Sequence, residues 1–327
     1  MMVDENSDVS TPDPAAEIVS LAAKLLRLQS RLGTDWVANA RTAGPAVPGA
    51  PPLATAARYA ASRSGIEVLR GVAVSLVGEI QASIERDAFY YLYQPIASVA
   101  TGAIAGVEAL LRWRRGVEEV TPPLFLPIAE ETRMLCRIQA RLLDDVARIL
   151  PGLVPGSVVA ISCPLTQLTD SQAVMALIER IAQLGIDASR LIIQINQQSA
   201  PFEASAAYAS IRHLKQAGIG IALDGFGSAV ASWSPLSCLP VDLIKIDGSL
   251  IGRLEHSRRA ATIVEGIIGM AHRLGHRVVA GGVETAQQLA MLATLGCDLA
   301  QGGAVGEAVR DPLPPHAAHS APQAASP

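Results

Sequence analysis

The sequence predicts an α/β fold, a modified TIM-type (β/α)8 barrel whose first strand runs antiparallel. Between Phe89 and about Arg310, short β-branched or apolar runs alternate with amphipathic helical patterns. These runs number about eight, the strand count of such a barrel. The first two are separated only by the turn Ala100-Thr101-Gly102. A parallel crossover needs a dozen or more residues, so these two strands must form a hairpin.

Taken in order, the chain opens with an acidic, polar stretch, Met1 to Ser10, that does not read as a secretory signal. Ile18, Leu21, Leu25, Leu28 and Leu32 then line one stripe of a helix over Ala15–Leu32. Two heptads are too few for a coiled coil, so this helix either docks on its own barrel or pairs with a second copy to make a homodimer. Residues 1–36 are therefore read as a polar segment with an amphipathic helix. Residues 37–62 follow as an Ala/Pro/Gly-rich linker, whose prolines at 45, 48, 51 and 52 remove the amide donors a helix needs. The barrel domain is expected over 63–310, and the Pro- and Ala-rich tail 311–327 reads as disordered.

Helical periodicity from about Ser64 to Asp87 leads into the first strand. Strands are expected at Phe89–Ile96, Ala103–Trp113, Ser157–Ile161, Leu191–Ile195, Gly220–Asp224, Leu243–Ile246, His276–Ala280 and Asp298–Gln301. Helices are expected at Gln139–Leu150, Ser171–Leu184, Ala204–Ala217, Arg259–Leu274 and Ala286–Leu295. His272 and His276 have metal-pair spacing, but Gly275 between them reads as a helix stop that puts them on different elements. Arg114 and Arg115 read as a solvated loop.

Composition narrows the function. Half of the 327 residues are apolar, yet no run approaches the roughly 18 apolar residues of a membrane span. The net charge of −4 argues against nucleic acid as a partner, because neutralising phosphates needs a basic face. Cys136, Cys163, Cys238 and Cys297 have no pair spacing and read as buried thiols of a cytoplasmic protein.

An ordered set of motifs then adds to the periodicity. Tyr93 to Trp113 reads YQPIASVATGAIAGVEALLRW and contains Glu108-Ala109-Leu110; PPLFLPIAEET follows at Pro122–Thr132. Further on come ALDGFG (Ala222–Gly227), LPVDLIKID (Leu239–Asp247), AHRLGH (Ala271–His276), GGVET (Gly281–Thr285) and GCDLAQG (Gly296–Gly302). In this order, across roughly Leu69 to Val309, the set resembles the EAL-domain family. The resemblance implies a barrel that hydrolyses cyclic di-GMP with two divalent cations, Mg or Mn. Two such ions about 4 Å apart repel by about 17 kcal/mol at an effective dielectric of 20, so the chemistry needs several hard carboxylate ligands.

Measured against that pattern, the metal site is depleted. Glu108 and Asp224 stand at family ligand positions. Ser162 replaces an Asn; Gln194 and Gln197 each replace a Glu; Gly225 replaces an Asp and Gly281 a Glu. The resemblance also makes Lys245 an active-site remnant that can pair with Glu108 and Asp224, and makes Gln94, Arg112 and Gln301 ligand-contacting positions. Ala229 and Val230 and the segment Gly303–Ala308 depart from the family's ligand-gripping loops. What this implies is a cytoplasmic bacterial signalling protein, a degenerate EAL barrel without phosphodiesterase activity or resident cofactor. It would act by binding a protein partner or cyclic di-GMP. The alternative is a weakly active phosphodiesterase with a depleted Mg or Mn site.

Overall fold

The computed structural model describes residues 63–196, 204–228, 236 and 239–312. The expected helix at Ala15–Leu32, the linker, the tail from 313 onward, Gln197, Ala229, Val230 and Cys238 lie outside the described residues. The described residues fall into two compact units, the first made of those within Met1–Phe89 and Arg112–Ile138, the second of those within Tyr90–Leu111 and Gln139–Pro327.

In the first unit, helix α1 (Arg63–Glu85) buries Ala73, Val77, Ile80 and Ile84, the alternating three-four spacing of one helical stripe. Phe89, Trp113 and Phe125 form a three-ring cluster with centroids 5.5–5.7 Å apart. Arg114 and Arg115 are not loop residues; they are the last residues of strand β2 (Ile104–Arg115), paired antiparallel with the short β3 (Glu118–Val120). Arg115 donates two hydrogen bonds to Glu79 on α1, from Nε at 2.6 Å and Nη2 at 3.0 Å. A bidentate ion pair holds an arginine that solvation alone would leave in a loop. The PPLFLPIAEET segment folds as a 3-10 turn (Pro122–Leu124) followed by α2 (Leu126–Glu131).

The second unit is a closed eight-strand barrel. Strands β1 (Phe89–Ser98), β2, β4 (Val158–Cys163), β5 (Leu191–Asn196), β6 (Gly220–Phe226), β7 (Leu243–Ile246), β8 (Arg277–Ala280) and β9 (Leu299–Gln301) build it. From β2 through β4 to β9 every neighbour is parallel. β1 pairs antiparallel with β9 on one side, Ile96 opposite Gln301, and with β2 on the other, which closes the ring. This is the hairpin that the three-residue turn requires.

Helices α3 (Met134–Ile149), α4 (Leu165–Leu168), α5 (Ser171–Gln183), α6 (Ala204–Gln216), α7 (Gly248–Ile251), α8 (Arg258–Arg273) and α9 (Ala286–Thr294) connect the strands. Their starts are capped where the sequence supplies an oxygen: Asp170 before α5, Ser257 before α8, Thr285 before α9. α8 buries Ala260, Val264, Ile267, Ile268 and Ala271 against a cluster that includes Ile244, Val278 and Ala300. It stops at Arg273, so His272 and His276 do sit on different elements. His272 Nε2 lies 2.8 Å from Asp298 instead. Among the described residues, no helix is long and apolar enough to cross a membrane.

Candidate functional site

Strand parity positions the site. Ile96, Ala160, Ile192, Ala222, Leu243 and Leu299, with Val279, form one apolar layer across the barrel axis. Side chains two residues further along a strand point the same way. On the parallel strands that rule puts Ser162, Gln194, Asp224, Lys245, Gly281 and Gln301 in the next layer, at the C-terminal end of the barrel. On the antiparallel β1 it selects Gln94, while Glu108 on β2 is paired with Ala160 and so faces the same side of the sheet. The positions singled out by sequence in this unit therefore converge on one polar layer above an apolar floor.

Glu108 is its centre. Its Oε2 accepts from Lys245 Nζ at 2.6 Å and from Gln301 Nε2 at 2.5 Å. Gln301 Nε2 also reaches Gln94 Oε1 at 3.1 Å, and Gln94 Nε2 donates to the Gly306 carbonyl at 3.3 Å. Lys245 Nζ lies 4.0 Å from Asp224 Oδ1, whose own nearest donor is the Gly225 amide at 2.8 Å. The side chains of Glu108 and Lys245 are 5% and 12% exposed, that of Asp224 23%. Buried charges of this kind persist only when paired and hydrogen-bonded.

The electrostatics follow from that burial. Burial is the largest influence on Lys245 and works against its charge, but Glu108 and then Asp224 outweigh it and hold the ammonium above its ordinary value. Burial raises the Asp224 carboxyl above the usual aspartate value; Lys245 only partly offsets this. Gln194 is buried and its Oε1 has no hydrogen-bond partner among the described residues, and the same holds for Gln301 Oε1. Ser162 is exposed, and its carbonyl accepts from Gln139 Nε2 at 3.0 Å.

Gly281 has a role that residue type alone did not disclose. A Cβ there would lie 3.2 Å from Lys245 Cε and 3.1 Å from the Ile246 carbonyl. The bare glycine leaves room for the lysine stem on its way to Glu108. Gly225 has φ +78°, where any other residue is strained, and it marks the register irregularity between β6 and β7. Arg112 belongs to the first unit, where its Nε lies 3.3 Å from Glu119. Gln197 is outside the described residues.

Comparison with known proteins decides the family. The model of the EAL domain matches residues 77–308. The chain belongs to the EAL domain family. Among its relatives, the bifunctional diguanylate cyclase/cyclic di-GMP phosphodiesterase MucR of Pseudomonas aeruginosa is 31% identical over 71% of this chain. Cyclic di-GMP phosphodiesterase PA2567 of the same organism is 33% identical over 68% of it. The chain spans only 35% and 38% of the lengths of these two proteins. The solved PaMucR phosphodiesterase in complex with c-di-GMP superposes with a TM-score of 0.67 at 31% identity, covering 72% of this chain and 97% of that one. An EAL domain protein from Listeria monocytogenes gives 0.63 at 26% identity, covering 71% and 93%.

Membership of the EAL family implies two divalent cations, and the donor set here does not fit a pair. Glu108 Oε2 is already saturated by an ammonium and an amide, and Gln194 offers a neutral, unpartnered oxygen where the family has a carboxylate. Among the described residues, no group of three or more His, Cys, Asp or Glu side chains is placed to hold a metal ion. What this EAL site does present is an internally neutralised ion pair flanked by amides.

Proposed function

We propose that this chain is a degenerate EAL-domain signalling protein that does not hydrolyse cyclic di-GMP and acts by binding, to a protein partner or to cyclic di-GMP itself. The observation that carries this reading is the combined change at Ser162, Gln194, Gly225 and Gly281, which leaves Glu108 paired with Lys245 at 2.6 Å. A lysine supplies one positive charge where hydrolysis of a phosphodiester needs ions that generate hydroxide and stabilise the leaving oxygen. With Gln194, Gly225 and Gly281 in place of carboxylates, the site lacks the negative charge to hold two divalent ions together. Gln94, Gln301 and Gln194 still offer neutral amides to a nucleotide, while the Gly303–Ala308 segment offers little side chain to grip one. That balance favours the protein partner.

The division into a polar segment with helix (1–36), linker (37–62), barrel domain (63–310) and tail (311–327), in a bacterial cytoplasm, belongs to the same proposal. So does homodimer formation through the Ile18–Leu32 stripe. Sizing the protein before and after deletion of Met1–Ala54 tests this, and monomers in both cases would remove the homodimer.

Calorimetry with cyclic di-GMP, with and without Mg or Mn, tests the main reading. Metal-independent binding, or no binding, with unchanged nucleotide recovered afterwards is the expected result. The alternative, a weakly active phosphodiesterase, is favoured by the retention of Glu108 and Asp224. Metal-dependent turnover that Glu108→Ala abolishes would establish that alternative and overturn the first.

A further inference from the structure

Beneath the polar layer the barrel is not filled. A cavity of about 280 Å³ runs up its axis from the N-terminal ends of the strands. TIM-type barrels normally pack this region solid with large branched side chains. Here Ala105, Ala160 and Ala222 line it, so the floor lacks the bulk that would close the axis. The walls also include Ile96, Ile104, Val158, Ile192, Leu243 and Leu299. Gln194 and Lys245 border its inner end, with the lysine's ammonium turned to Glu108 and its methylene stem left to the cavity.

Shape and charge select the occupant. The lining runs from Pro155, Gly156 and Ser157, in the turn before β4, through Val158 and Ala160 on that strand to Gln194 and Lys245 at the inner end. The cavity's volume of about 280 Å³ is about twice that of an apolar cavity that stays dry and takes up benzene, room for an apolar chain of about eight to ten carbons. At the mouth stands Arg277, exposed, with no ion pair among the described residues. The nearby Asp242 does not compete for it, because both its oxygens accept from Lys215 Nζ, at 2.6 and 2.7 Å. The opposite rim, Pro155 to Ser157, is fixed by Arg190, which donates to the Ser157 and Val154 carbonyls.

We infer that the barrel takes a medium-chain aliphatic carboxylate from its N-terminal face, chain along the axis and head at Arg277. This site adjoins the polar layer through Gln194 and Lys245, opens at the other end of the barrel, and holds whether or not that layer hydrolyses a nucleotide.

Calorimetry of the full chain with octanoate, hexanoate and octan-1-ol tests it. The expected result is one-to-one binding of octanoate, about fourfold tighter for each added methylene, as burial of apolar chain predicts. Arg277→Ala should weaken octanoate at least about tenfold and leave octan-1-ol unchanged, consistent with loss of a charge-assisted contact. Ala160→Leu, which fills the axis, should abolish both. Should Ala160→Leu fail to fold, the chain-length series on the unaltered protein and the Arg277→Ala contrast decide. Absence of saturable octanoate binding, affinity indifferent to chain length, or equal loss of acid and alcohol in Arg277→Ala would overturn the proposal.

Discussion

Lys245 carries charge into a place where burial opposes it, and it stays charged because Glu108 and Asp224 face it. Such a pair contributes little net stability, since desolvation offsets attraction, yet removing one partner strands the other. Lys245→Met should therefore destabilise the fold by about 3–5 kcal/mol, while Lys245→Met with Glu108→Leu should recover most of that loss. Urea denaturation of the two variants measures the difference; equal losses would show that the two residues are uncoupled. Asp224 makes a pH prediction of opposite character. Its folded-state pKa is raised, so the folded protein holds the proton more tightly than the unfolded chain. Stability from this residue is fully present below the ordinary aspartate value and falls as pH rises from there through the folded-state value. Lys245, also raised, contributes stability that is lost only above the ordinary lysine range. Asp224→Asn should thus gain on the unaltered protein as pH climbs above about 4, read from denaturation midpoints at several pH values.

The elements show which signals in the chain were sufficient. Strands expected at Leu191–Ile195 and Leu243–Ile246 and the helix at Ser171–Leu184 match the structure to within a residue, because periodicity and turn residues agree there. The β2–β3 hairpin was illegible: Arg114-Arg115-Gly116 looks like a charged loop, and only the distant Glu79 makes it a strand end. The reciprocal cap of α9 was legible in principle as Thr285-x-x-Gln288. Gln288 Oε1 accepts from the Glu284 and Thr285 amides while Thr285 Oγ1 accepts from the Gln288 amide. Thr285 also donates to Glu255. Thr285→Ala should cost about 1–2 kcal/mol and Thr285→Ser much less, measured by thermal denaturation. An unchanged midpoint for Thr285→Ala would mean the helix start is fixed by packing alone.

At the scale of the whole barrel, the candidate residues were readable by alignment to a motif, but the reason they act together was not. Strand parity sets them in one layer, and the glycine at 281 lets the Lys245 stem pass to Glu108. If the layer descends from a metal centre, putting back the family's residues should rebuild it: Ser162→Asn, Gln194→Glu, Gly225→Asp and Gly281→Glu together. Without metal the quadruple variant should be less stable than the parent, because it adds three carboxylates beside Glu108 and Asp224 and forces φ +78° on an aspartate. A glutamate at 281 must also push Lys245 aside, freeing Glu108. Added Mn or Mg should then raise the melting temperature of the variant and not of the parent, by mass action on a folded-state site. Cyclic di-GMP hydrolysis should appear only with the ion. Single substitutions should do neither, since one added carboxylate cannot offset the repulsion of two divalent ions. A quadruple variant that folds but gains no metal-dependent melting shift would show that the layer is not a dismantled metal site.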